Sequence, residues 1–356
     1  MSLLQLAYVI ALRKIISSWK LELVLLLGIV LAVGLMASGV VFSDLLADAA
    51  VHRALQKASH DEANFSVAKY YYLDDPSQIS RGASIYQKSA DFVERSVSKR
   101  FEPYTREEAI LFETSTFYFE GHPQLELADE VRPRGKITYM SGLAPSRINV
   151  IQGYWPYSPK NSDVVFGEPL EVALEATGAA LLQLEVGDVM TIFPGARTRD
   201  WPEARIKIVA IFERNDESDE FWFDADRTFP STDHLYDWVP MFTTDSAIFN
   251  WVGRAFPGLY SDVSWFFFLD RNGIKGKDVQ VIQQSVDTVR YEIGTLLGNG
   301  STSIKLDKVL EEHTDQLLLA RIPLLLMLFL VSAILIYYLA LVAGLIVRSR
   351  STEISV

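Results

Sequence analysis

The sequence predicts a membrane protein in which two transmembrane α-helices flank a large α+β extracytoplasmic domain with a helical stalk. Two uncharged runs, an acidic middle and a mixture of strand and helix periodicities predict it. Leu23 to Phe42 holds 20 residues without a charge, and Ile322 to Val347 holds 26. A helix rising ~1.5 Å per residue needs ~20 apolar residues to cross ~30 Å of hydrocarbon. Both runs suffice, and the second is long enough to tilt or to rise above the bilayer. Core helices of soluble proteins seldom run so far without a charge. A cleaved signal peptide fits the first run poorly. The run exceeds an apolar core of ~7–15 residues, and its exit through Ser43, Asp44, Leu45 and Leu46 has no small-residue cleavage site.

Flanking cations set the orientation. Arg13, Lys14 and Lys20 precede the first run, and Arg348 and Arg350 follow the second. Both termini are therefore expected in the cytoplasm, with residues 44–321 outside a plasma (inner) membrane. Trp19 is placed as an interface anchor, whereas Tyr337 and Tyr338 are expected to pack helices. The chain carries 45 acidic and 33 basic residues, a net charge of −12. Those five flanking cations stand against only Glu22 and Glu353, which leaves −15 on residues 44–321. Such a charge keeps a domain soluble and disfavours nucleic acid as a partner. The absence of cysteine excludes disulfides, thiolate metal sites and cysteine nucleophiles. The domain must rest on an ordinary core, for which its length is ample.

Six segments follow along the chain. Residues 1–20 read as a cytoplasmic interfacial helix: Leu3, Leu6, Ala7 and Ile10 share a face that Lys14 interrupts and that Leu4, Val9 and Leu12 broaden. Residues 21–43 form the first membrane helix. There Gly28 and Ala32, and Gly34 and Ser38, have the four-residue spacing that lets helix backbones approach. Residues 44–306 form the domain. A helix after Asp44 leads to a strand at 65–72, then a helix with Ile85, Phe92, Val93 and Val97. Strands follow near 110–119 and 136–140, a turn-rich exit through Gly153 and Pro156, and a strand at 163–166. Residues 169–177 read as a helix, 184–188 as a tight turn, and 189–193, 205–212 and 265–269 as strands. A helix over 278–297 ends at Gly298. Residues 307–321 are a stalk helix that Asp307 can cap, ~20 Å long at ~1.5 Å per residue. Only Pro323 interrupts its passage into the second membrane helix, 322–347. Residues 348–356 begin a cytoplasmic remainder.

Chemistry is sparse. No phosphate-loop or nucleophile-elbow motif occurs, and Gly273-Ile274-Lys275-Gly276-Lys277 has the wrong spacing to cradle phosphate. The five histidines are scattered. The acidic run Glu213–Glu220 with Asp224 and Asp226 reads as a solvated loop, with a bound calcium ion as the alternative, although the turn glycine of a calcium loop is missing. Phe221-Trp222-Phe223 is read equally as a partner- or membrane-touching cluster and as a buried strand. No catalytic residue, cofactor or metal is expected.

Four features together resemble the permeases of the MacB/FtsX/LolC type of ABC transporter, in their N-terminal portion. They are the entry helix with Ala11-Leu12-Arg13-Lys14; the succession Ile151-Gln152-Gly153-Tyr154-Trp155-Pro156, Asp163-Val164-Val165-Phe166 and Leu184-Glu185-Val186-Gly187-Asp188, similar to a MacB-like periplasmic core; the late helix and stalk; and Arg348-Ser349-Arg350-Ser351-Thr352-Glu353-Ile354, similar to the family's R-x-x-E-I segment. Tyr154 stands where that pattern has arginine. The resemblance implies further membrane helices beyond Val356 and a non-enzymatic permease subunit. It also implies a separate cytoplasmic ATPase, a second permease copy or homologue, and an extracytoplasmic cargo or partner. Arg348, Arg350 and Glu353 would stand where the ATPase presses, although the two arginines can equally serve only to set topology. Gly153, Gly187 and Asp188 would shape turns of the core domain. The rival reading is a two-helix membrane sensor with an external ligand-binding domain; the entry helix and the 348–354 segment speak against it.

Overall fold

The computed structural model describes residues 3–73, 84–120, 134–157, 167–195, 203–223, 228–229 and 238–354. They fall into two compact units, one of residues 1–54, 274–279 and 310–356 and the other of residues 55–273 and 280–309. The predicted strand at 163–166 lies outside the described residues.

Two long helices dominate the first unit. Helix α1 (Leu3–Lys57) runs through positions 20 and 21 without a break, and α8 (Leu306–Ile354) runs through Pro323. Each holds a stretch long and apolar enough to cross a membrane, within Leu26–Lys57 and Leu326–Gly344, where the most apolar 18 residues have a mean hydropathy of 2.3 and 2.6. Such stretches need no tertiary partner to stay helical in lipid, because the helix satisfies its own backbone. The two helices meet where α1 has no side chain. A β-carbon on Gly28 would stand 2.6 Å from Leu339 Cδ2, and one on Gly39 would stand 2.6 Å from Leu328 Cδ1. The glycines are eleven residues apart and so are the leucines, which is three helical turns on each side, in antiparallel register. Of the small-residue pairs flagged in the sequence, Gly28 serves this contact, while Gly34 has nothing within 4 Å. Gly276 approaches α1 as well, and its N–H donates to Asp48 Oδ1 at 2.7 Å.

The second unit is built on eleven strands: β1 (Phe65–Tyr72), β2 (Thr105–Thr114), β3 (Phe117–Glu120), β4 (Arg134–Met140), β5 (Ile148–Gly153), β6 (Leu170–Glu175), β7 (Val189–Pro194), β8 (Ala204–Arg214), β9 (Trp238–Phe242), β10 (Tyr260–Leu269) and β11 (Gly300–Ser303). The short helices α2 (His60–Ala63), α3 (Ile85–Val93), α4 (Lys99–Phe101), α5 (Ala176–Leu182) and α6 (Gly253–Ala255) and the longer α7 (Val279–Leu296) connect them. Strands β11, β1, β10, β2 and β4 form an antiparallel sheet in that order. The apolar residues Ile282, Val286, Val289 and Ile293 recur on one face of α7 and are fully buried. The Phe65 ring stacks on Phe267 at 4.7 Å and tilts against Phe101 at 4.8 Å.

Strand β4 then passes the sheet on to a ring, pairing β2 at its C-terminal end, β3 at its start and β9 over Arg134–Thr138. The succession β4, β3, β7, β8, β6, β9 returns to β4. Phe212, Phe221, Trp222, Phe229 and Phe242 share one buried cluster here. The Arg214 guanidinium lies 4.2 Å from the Phe229 ring centre and pairs with Glu175 at 3.3 Å. Burial pushes the Glu175 carboxyl up, and Arg214 counters it.

Several segments depart from the sequence reading: β5 occupies Ile148–Gly153, where a turn-rich exit was expected, and β11 follows directly on the break at Gly298. Residues 170–175 form strand β6 rather than helix, and helix begins only at Ala176. Between β8 and β9, Val172, Ala173, Leu174 and Glu175 are all buried, so the alternation that marks a strand is absent. Strand β9 has no counterpart in the sequence reading; Pro240 stands in its middle, a residue that argues against a strand.

Candidate functional site

The glycines singled out by sequence converge on one stretch of β8. Along one edge, β7 pairs with β8 over residues 204–207 and β5 pairs over 210–214. Two turns close the gap between them. The Gly187 N–H donates to Ile208 O at 2.8 Å, and the Ile208 N–H donates to Asp188 O at 2.9 Å. Asp188 Oδ2 accepts from Glu185 N at 2.8 Å, which tightens that turn. The Tyr154 N–H donates to Val209 O at 3.0 Å. Gly187 and Gly153 hold φ of +107° and +78°. A β-carbon at Gly153 would fall 1.9 Å from Val209 O, so only glycine fits. These residues seat backbone. Arg348, Arg350 and Glu353 lie in the last turns of α8.

The charged features that the sequence reading missed lie within the second unit, at the last residues of α1 and the first of α8 that belong to it. The Arg271 Nη1 donates to Leu55 O at 3.1 Å and Ala58 O at 3.0 Å, satisfying carbonyls at the end of α1 that have no partner within the helix. Its Nη2 donates to Glu220 Oε1 at 2.8 Å. Glu220 also accepts from Asn64 at 2.8 Å and from Arg106 at 3.0 Å. Burial alone pushes the Glu220 carboxyl up, but Asn64, Arg271 and Arg106 outweigh it and bring it to about 2. The start of α8 is held similarly. Arg290 donates two hydrogen bonds to Asp307, at 2.6 and 2.8 Å, and a third to Ile304 O at 2.8 Å. Lys305 pairs with Asp61 and so ties the two roots together.

Glu220 belongs to the acidic run read from sequence as a solvated loop. Residues 215–219 are exposed, as that reading requires, while residues 216–222 fold back on themselves and turn Glu220 inward. Asp216 Oδ1 accepts from Ser218 N at 2.9 Å, Asp219 Oδ1 accepts from Phe221 N at 2.9 Å, and Trp222 Nε1 donates to Asp216 O at 2.9 Å. Phe221 and Trp222 are buried in a helical turn rather than a strand. The adjacent aromatics were the available signal, since a loop seldom spends two of them on solvent. No group of three metal-ligating side chains forms among the described residues, and Asp224 and Asp226 lie outside them.

A separate cleft of about 450 Å³ opens between the end of β1, the start of α3 and the turn after β9. Tyr71, Tyr86, Tyr139 and Phe249 line it, with Asp245 and Asn250 among its polar groups. The Tyr86 ring stands 4.4 Å from Phe249 and 6.5 Å from Tyr71. Burial, then Tyr139 and Asp245, push the Tyr86 phenol up to about 12, and burial with Asp245 raises Tyr139. Both phenols therefore stay neutral at physiological pH.

Among solved structures, the chain is similar to a domain ascribed to a permease protein of Porphyromonas gingivalis, at 11% identity and a TM-score of 0.26, covering 68% of this chain and 88% of that one. It is similar also to the extracellular domain of the noncanonic ABC-type transporter YknZ from Gram-positive bacteria, at 9% identity and a TM-score of 0.29, covering 66% and 98%. No family model and no curated protein sequence matches the chain.

Proposed function

We propose that the chain is the transmembrane subunit of an ABC-type permease or mechanotransmission system. A separate cytoplasmic ATPase drives the inner helix ends, and the domain of residues 44–306 acts outside the membrane on a cargo or partner. The observation that carries this reading is the pair of uninterrupted helices α1 and α8, each tied by charged hydrogen bonds at its domain end and apolar over a membrane-length stretch. A rigid helix transmits displacement, whereas a flexible linker absorbs it. Residues 307–321 serve as the stalk, Arg348, Arg350 and Glu353 receive the ATPase, and a second permease copy or homologue completes the assembly.

Orientation is checked by fusing a reporter that works only outside the cytoplasm. The fusion at Gly167 should be active and the fusion at Arg350 silent; the reverse pattern overturns the topology. Coupling is checked in the full chain with whatever ATPase co-purifies with it. ATP should change the fluorescence of a dye on a single cysteine at the exposed Ser303. Inserting Gly-Gly-Ser-Gly after Gln316 should abolish that change while membrane insertion and ATPase association persist. Glu353→Lys should weaken the association with topology unchanged, because acidic residues contribute little to orientation. Failure of any ATPase to co-purify, or an insertion variant that responds like the parent, sinks the mechanical reading.

A further inference from the structure

The cleft beside β1 has a chemical bias that the seating of strands does not require. Its walls are aromatic, the Tyr86 and Tyr139 phenols are neutral, and among the described residues that line it Asp245 alone is charged and none is basic. Asp245 is exposed, and its Oδ1 accepts from Ser246 N at 2.6 Å, which fixes the carboxylate at the start of the turn carrying Phe249 and Asn250. On the opposite wall, the Ser84 hydroxyl caps the start of α3 by accepting from Gln87 N at 3.1 Å, so Tyr86 projects from a capped first turn. Phe112 stands edge-on to both Tyr71 and Phe249, at 5.8 and 5.4 Å, and supports the aromatic walls from behind. The cleft is therefore rigid on two sides and of a size that holds a drug-sized molecule.

A cation leaving water needs an opposite charge or electron-rich ring faces to replace its hydration. Here both converge. An anion would meet a carboxylate with no compensating base among the described lining residues, and the acidic balance of the surrounding domain repels anions and concentrates cations. A purely apolar guest would leave Asp245 and Asn250 at its edge without a role in recognition. We propose that this cleft binds an organic monocation, with its ammonium group against Asp245 and its apolar body among Tyr86, Tyr139 and Phe249. The inference does not depend on an ATPase or on the direction of any transport.

The test uses the full chain in a nonionic maltoside micelle and isothermal titration with two probes. Benzyltrimethylammonium carries the charge; 2-methyl-1-phenylpropan-2-ol is its neutral near-isostere. The cation should bind one per chain, and the alcohol about tenfold more weakly. Asp245→Asn keeps an oxygen for the Ser246 N–H, and it should lower the affinity of the cation to that of the alcohol while leaving the alcohol unchanged. Phe249→Leu should weaken both probes, and it carries the test if Asp245→Asn melts early. Equal affinity of the parent chain for the two probes overturns the proposal. So does undiminished cation binding in either variant, or the absence of saturable heat.

Discussion

Gly153→Ala is expected to cost on the order of 3–5 kcal/mol and to open the edge of β8. Two penalties coincide at this position. The backbone sits at φ +78°, and the new methyl would lie 1.9 Å from Val209 O, a backbone atom that cannot swing aside as a side chain can. Relief requires moving β5 away from β8, which breaks the pairing from Ile148 to Gly153 and the Tyr154 hydrogen bond. Gly187→Ala separates the two penalties. Its φ is +107°, yet nothing lies within 4 Å of the added carbon. It should cost only the conformational strain, about 1–2 kcal/mol. Thermal unfolding and limited proteolysis of the detergent-solubilised chain compare them. Equal losses would show that Val209 does not hold β5 in place.

Loss of the Glu220 carboxylate is the second large effect. Its side chain is 14% exposed, and it faces two arginines and an asparagine. The folded-state value of about 2 lies below the ordinary 4.5, so the stabilisation is fully present above pH 4.5 and is lost as pH falls through the window from 4.5 to about 2. A gap of that size corresponds to about 3 kcal/mol. Glu220→Gln should remove this contribution at neutral pH and flatten the acid limb of the stability curve. Asp61 and Asp307 are also held below the usual carboxylate range, by Lys305 and by Arg290 respectively, but they remain in both proteins. The difference between the two pH curves therefore isolates Glu220. A glutamine variant whose stability falls with acid as steeply as the parent's contradicts the assignment. The same substitution should fray the end of α1, because Arg271 then loses the carboxylate that aims it at Leu55 and Ala58.

What could be read from sequence follows where each signal was local. The two long apolar helices are legible because each uncharged stretch lies within one segment and needs no distant partner to be recognised. Strand β1 is matched at both ends through its run of aromatic and β-branched residues, and α7 to within a residue because its single buried face shows the helical period. Strand β6 is illegible for the opposite reason, since burial on both sides erases the alternation and leaves alanine, leucine and glutamate to suggest helix. The turn at Gly187 and Asp188 was visible in its residue types, but its role at a seam between two strands was not, because that depends on β8 lying twenty residues further along. Glu220, Arg271 and Arg290 are hidden for the same reason. Their partners are 156, 51 and 17 residues away in sequence, and charge alone does not say which carboxylate in an acidic run turns inward.

The ring also bears on how such chains behave when crowded together. An unpaired strand edge is an invitation to pair with a neighbour's edge, and long apolar edges seed aggregation. By returning to β4, the ring consumes the edges of six strands in one closure. Among the described strands, β11 and β5 are paired along one side only, over four and six residues. The first reads Gly-Ser-Thr-Ser, which has no apolar face to offer, and the second is kinked by an extra residue between Val150 and Gln152. These two edges thus offer a neighbouring chain little apolar strand to pair with.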